Sequence, residues 1–137
     1  MTSLAGTVAQ ATATLAPAHL SSLADAYRKC GEYTESVAAG KHLWERKACI
    51  NCHSILGEGA YFAPELGNVM TRWGVADDPE AAFDVTKGWM EAQPSGIEGR
   101  RQMPQFNLSD EDIRNLTDFL LWTNTIRTQD WPPNEAG

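Results

Sequence analysis

Positive charge is scarce in this chain: 11 Lys and Arg stand against 18 Asp and Glu, a formal net charge of −7 over 137 residues. Such a balance argues against nucleic acid, which calls for a basic stripe or face. It argues equally against binding to an anionic membrane surface by charge alone. Two readings of the acidity stay open, plain solubility and the docking of a basic partner. Cysteine is also sparse and odd in number: Cys30, Cys49 and Cys52. An odd count excludes a framework built purely of disulfides. Long apolar runs are missing as well. The longest uncharged stretch, Met1 to Ala24, is rich in Ala, Thr and Ser and contains Pro17 and His19. A membrane-spanning helix needs about 20 strongly apolar residues, and a secretory signal needs a positive start and an unbroken apolar run. Neither is seen there. No segment alternates long enough to predict a strand, and no internal repeat is present.

What is there divides near residue 34. Residues 1–34 form an N-terminal segment of low complexity, with no chemistry evident in it. Residues 35–137 read as one domain. The spacing predicts a helix over Ser36 to Ala48, capped by Ser36, with Val37, Leu43 and Trp44 on one face. Gly57 to Gly67 is predicted as a loop, and Asn68 to Trp73 as a short helix. A further helix, about Glu80 to Ala92, is opened by Asp77, Asp78 and Pro79, which suit a helix start. Pro94 to Pro104 is a loop. The last helix starts at a capping-box-like pair, Ser109 and Asp112, and carries the stripe Ile113, Leu116, Phe119, Leu120 and Leu121. It ends near Asn124, and an extended tail follows from Trp131. The fold class is therefore all-α with long loops. Long loops in a small domain need a reason, and a central cofactor wrapped by them supplies one.

The motif Cys49-Ile50-Asn51-Cys52-His53 identifies that cofactor. Two thiols three positions apart can add to the two vinyl groups of one haem, and the next residue, His53, falls under the iron. A thioredoxin-like pair would need a strand-to-helix setting, whereas a helix precedes this motif. A zinc site would need two more suitably spaced ligands, and only His19 and His42 remain as histidines. For the second axial position the candidates are Met70, Met90, Met103, His19 and His42. Met70 and Met90 sit in apolar helical surroundings and read as core. His42 lies on the helix before the motif and reads as a surface residue. Met103 is in a loop before Pro104, which biases it away from helical geometry, and it is far enough downstream for the chain to wrap the haem. It is the favoured ligand. A thioether opposite histidine raises the reduction potential. Arg100 and Arg101 beside it have two readings, a solvated loop or a pair of forks for the haem propionates. Trp44, Trp73, Trp89 and Trp122 read as packing around haem and core.

Several blocks together resemble a known family. They are Gly40-Lys41-His42-Leu43-Trp44-Glu45-Arg46, the haem motif, and Ser54-Ile55-Leu56-Gly57-Glu58-Gly59-Ala60-Tyr61-Phe62-Ala63-Pro64-Glu65-Leu66-Gly67-Asn68. Further on come Gly99-Arg100-Arg101-Gln102-Met103-Pro104-Gln105-Phe106 and the tail Thr128-Gln129-Asp130-Trp131-Pro132-Pro133-Asn134. From about residue 36 to 137 the chain resembles the small, cytochrome c subunit of bacterial nitric oxide reductase. The resemblance implies the monohaem cytochrome c fold, with Met103 as axial methionine. It implies an electron-transfer subunit on the periplasmic side of the inner membrane, with no catalytic residue of its own. Electrons would come from a soluble cytochrome c or blue-copper donor. They would pass to haem b of a large membrane subunit that reduces nitric oxide to nitrous oxide. It also implies a calcium ion at the junction of the two subunits, reached by the Gly59 carbonyl and by Tyr61, both oxygen donors suited to a hard cation. Interface packing is the other reading of Tyr61. The family's N-terminal membrane helix is not recognisable in residues 1–35. That departure supports an alternative, a free soluble periplasmic electron carrier. The Gly57 to Asn68 block and the Trp-Pro tail favour the reductase assignment, because a free carrier has no evident need of them.

Overall fold

The computed structural model describes residues 31–128, which fall almost wholly in the compact unit beginning at Glu32. The expectations for the N-terminal segment, Cys30, His19 and the tail from Trp131 lie outside the described residues.

Helix α1 spans Glu35–Arg46. Its cap is Thr34, whose hydroxyl accepts from the Val37 N–H at 3.2 Å, and not Ser36 as the sequence suggested. Ser36 has a different task. Its hydroxyl lies 2.8 Å from Asn115 Oδ1 and 2.5 Å from Asp118 Oδ2, on the last helix. The cap shifts by two residues because a partner far along the chain claims the Ser36 side chain. The helix also stops before the motif. Ala48 takes a left-handed conformation, φ 55°, and turns the chain into a 3₁₀ turn over Cys49–Asn51.

A two-residue antiparallel hairpin follows, β1 Ser54–Ile55 and β2 Glu58–Gly59, with Ser54 opposite Gly59. Its turn residues, Leu56 (φ 53°) and Gly57 (φ 86°), both need positive φ, as a tight hairpin of two central residues demands. Leucine resists that conformation. The buried Glu65 carboxylate holds the Leu56 N–H at 2.8 Å and so helps to fix it.

Helix α2 is Val69–Arg72. Helix α3, Pro79–Glu91, starts as predicted: Asp78 accepts from the Glu80 and Ala81 N–H groups, each at 3.1 Å, and Pro79 needs no donor there. Helix α4, Asp110–Asn124, carries the complete Ser109–Asp112 capping box. Four of its five expected stripe residues are buried, and Leu121 is half-buried.

The core joins α1, α2, α3 and α4 through Val37, Leu43, Trp44, Val69, Met70, Ala82, Leu116, Phe119 and Leu120. Met70 is fully buried, as its apolar setting predicted. At Gly40 α1 approaches α4 so closely that a Cβ would meet the Asn115 carbonyl and stand 2.7 Å from Phe119 Cβ. Glycine lets the two backbones touch there. Among the described residues no helix is long and apolar enough to cross a membrane.

Candidate haem-binding site

The helices and loops surround a cavity of about 660 Å³, within the ~300–1,000 Å³ usual for cofactor sites. Leu43 and Trp44 of α1 and Leu116 and Leu120 of α4 form its apolar base. Cys49 and His53 stand in its wall, with Pro64 and Leu66 behind them. Trp73, Trp89 and Met90 supply another part, and Met103, Phe106 and Leu108 complete it.

The motif is folded compactly by its own backbone. The Cys52 and His53 N–H groups both donate to the Cys49 carbonyl, at 3.1 and 2.9 Å. Cys49 lines the cavity, and Cys52 is half-buried next to it. Burial pushes the Cys49 thiol up to about 11. His53 Nδ1–H donates to the Pro64 carbonyl at 2.7 Å. A carbonyl can only accept, so Nδ1 carries the proton and Nε2 is left as the metal-binding nitrogen. Burial holds the imidazole below its ordinary pKa, which favours the neutral ring that ligation needs.

The segment behind His53 is organised by Glu65. Its carboxylate accepts from Leu56 and Gly67 N–H groups at 2.8 Å each and from Gly57 N–H at 3.5 Å. This hub was not foreseen from sequence. Its only local sign is a carboxylate amid the Gly57, Gly59 and Gly67 turns.

Of the expected second ligands, Met103 and Met90 line the cavity. Met90 belongs to α3, while Met103 is half-buried in the loop. His42 is exposed and lies 3.7 Å from Glu45. Two side chains flanking Met103 fasten its loop. Gln102 donates to the Ile97 and Arg100 carbonyls at 3.0 and 2.9 Å and accepts from Ser95 and Gly96. Gln105 donates to the Met90 and Gln93 carbonyls at 3.2 and 3.0 Å.

Arg100 and Arg101 are exposed, and neither lines the cavity. Arg101 instead reaches Phe62. The cations in the cavity wall are Lys47 and Arg72. Arg72 is fixed by Asn68 Oδ1 at 3.0 Å and by the Glu65 carbonyl at 2.5 Å. The only sequence hint of its place was the four-residue helical spacing from Asn68. Of the four tryptophans read as packing, Trp44, Trp73 and Trp89 line the cavity, and Trp122 packs against the core.

Gly59 and Tyr61 lie away from the cavity. A Cβ on Gly59 (φ 121°) would meet the His53 carbonyl, so glycine is required. Tyr61 is 64% exposed, and its hydroxyl donates to the Gly57 carbonyl at 3.2 Å. Among the described residues no group of three or more His, Cys, Asp or Glu could hold a metal ion.

A thiol pair, an imidazole with a bare Nε2 and a thioether around one apolar cavity are the donor set of a c-type haem. The cytochrome c family model matches residues 37–124. The C subunit of nitric oxide reductase from Paracoccus denitrificans is 71% identical over 106 residues, covering 77% of this chain and 71% of that protein. The protein of the same name from Cereibacter sphaeroides is 65% identical over 104 residues, 76% of this chain and 71% of the relative. That from Halomonas halodenitrificans is 60% identical over 104 residues, 76% and 69% of the two chains. The chain belongs to the cytochrome c family, among the C subunits of nitric oxide reductases, and carries covalently bound haem c accordingly.

Proposed function

We propose that the chain is the electron-entry subunit of a nitric oxide reductase, with one haem held by Cys49 and Cys52 and ligated by His53 and Met103. The observation that carries the reading is one apolar cavity whose wall includes both His53 and Met103, in a chain 71% identical to the C subunit of a nitric oxide reductase. A haem so bound supplies a reversible one-electron couple. His53 is presented by the Pro64 carbonyl with its Nε2 toward the cavity. Met103 would be the second residue to hold the iron, which would restrict the haem to electron transfer. Trp44, Leu116 and Leu120 exclude water, and Lys47 and Arg72 are the cations placed to receive propionates; Arg100 and Arg101 are not at the wall.

Electrons would arrive from a soluble periplasmic cytochrome c or blue-copper protein, for which the acidic surface suits a basic donor. They would leave to haem b of a large membrane subunit, with this chain on the periplasmic side of the membrane. A calcium ion at that junction would take the Gly59 carbonyl and Tyr61 oxygen from this chain and its remaining oxygens from the partner.

Two measurements test this. Purification from the source membrane in mild detergent should bring down a large haem b subunit with nitric oxide reductase activity; recovery as a lone soluble cytochrome would overturn this reading in favour of a free carrier. Met103→Leu should abolish the charge-transfer band that marks a methionine sulfur on ferric haem. An unchanged band would remove Met103 from the iron.

A further inference from the structure

Arg101 leaves the loop that carries Met103 and ends on the segment that supports His53. Its Nη1 donates to the Phe62 carbonyl, and its Cζ lies 4.8 Å from the Phe62 ring centroid. Phe62 opens a three-residue strip in which each residue makes a backbone hydrogen bond. The Ala63 N–H donates to the Cys52 carbonyl at 2.8 Å. The Pro64 carbonyl accepts from His53 Nδ1–H at 2.7 Å. One short strip therefore holds the histidine at one end and receives Arg101 at the other. Gln102 closes the methionine loop on itself, and Gln105 ties it to the end of α3. Arg101 ties it to the histidine side.

We propose that Arg101 is a positioning residue for Met103. By clasping Phe62 it couples the two axial loops and resists swinging of the methionine away from the iron. The proposal rests on the reading of Met103 as ligand. A guanidinium suits the task because it can donate to a carbonyl and lie against a ring at once, whereas an ammonium is a point donor. A charge-assisted hydrogen bond plus an exposed cation–π contact is of a size to shift a local opening equilibrium about tenfold.

The test uses the haem-loaded full chain and the rate at which imidazole displaces the methionine from ferric haem. Arg101→Gln should raise that rate about tenfold and weaken the methionine band. Phe62→Leu, which keeps the carbonyl and removes the ring, should raise it about threefold. Arg101→Lys should fall between the parent and Arg101→Gln. Arg114→Gln is the control: Arg114 sits 3.8 Å over the Phe83 ring and pairs with Glu80 away from the cavity, and its loss should leave the rate unchanged. If Arg101→Gln does not retain haem, the Phe62→Leu rate decides. A parent rate in Arg101→Gln, or an equal rise in Arg114→Gln, would overturn the strap. If Met103→Leu keeps the band, the ligand reading fails first; if it loses the band while Arg101→Gln exchanges at the parent rate, only the strap fails.

Discussion

Between Cys49 and Gly67 the chain satisfies itself with near neighbours: amides return to Cys49, His53 reaches Pro64, and Glu65 gathers three backbone N–H groups. Between Pro94 and Leu108 there is no helix or strand, and the loop depends on side chains. Gln102 and Gln105 fasten it nearby, and Arg101 crosses 39 positions of sequence to Phe62. On the histidine side the Glu65 bonds are buried or partly buried, although His53–Pro64 is exposed; on the methionine side the bonds of Arg101 and Gln102 are exposed, and only those of Gln105 to Met90 and Gln93 are partly buried. Exposed contacts are individually weak, so the methionine side is where exchange and opening should begin.

Four substitutions can break or sharpen this contrast. Gly40→Ala attacks the frame beneath both sides by forcing α1 off α4. It should lower stability by about 3 kcal/mol or more, read as a large fall in the thermal midpoint. Glu65→Ala should cost about 2–3 kcal/mol, because it strips acceptors from three amides, and denaturant unfolding would measure it. Gln105→Ala should cost only about 1 kcal/mol in the same experiment, yet it should speed imidazole binding, which Glu65→Ala should affect less. The contrast is wrong if Gln105→Ala proves the more destabilising. Smallest is the effect of Met103→Leu on stability, below about 1 kcal/mol for a near-isosteric change, alongside its complete loss of the methionine band.

Features set by neighbouring residues were legible in the sequence. The caps at Asp78 and Ser109 lie where a capping residue meets helix-forming text, and the helical stripe of α4 faces the core as its spacing required. The haem motif was legible for the same reason: five consecutive residues contain its chemistry. Thr34 was missed because Ser36 looks equally able to cap, and only the distant Asn115 and Asp118 take Ser36 away. The β1–β2 hairpin has two residues per strand, too few to show alternation. Lys47 reached the cavity wall without any sign, and Arg72 with only its spacing from Asn68, since a charged residue at a helix end reads as solvated until the fold bends it inward. Arg100 and Arg101 drew notice by standing beside Met103, but adjacency in sequence did not bring either to the cavity.

The bonds from Ser36 to Asn115 and Asp118 span 79 and 82 positions. Of the residues around the cavity, all but Leu116 and Leu120 fall between Ser36 and Asn115. The pairing of α1 with α4 thus acts as the clasp of one large ring, and the cofactor chamber is what the ring encloses. Undoing that clasp releases every wall together, so loss of the chamber should be a single cooperative event. Amide hydrogen exchange at the α1–α4 seam would then report the lifetime of the chamber as a whole.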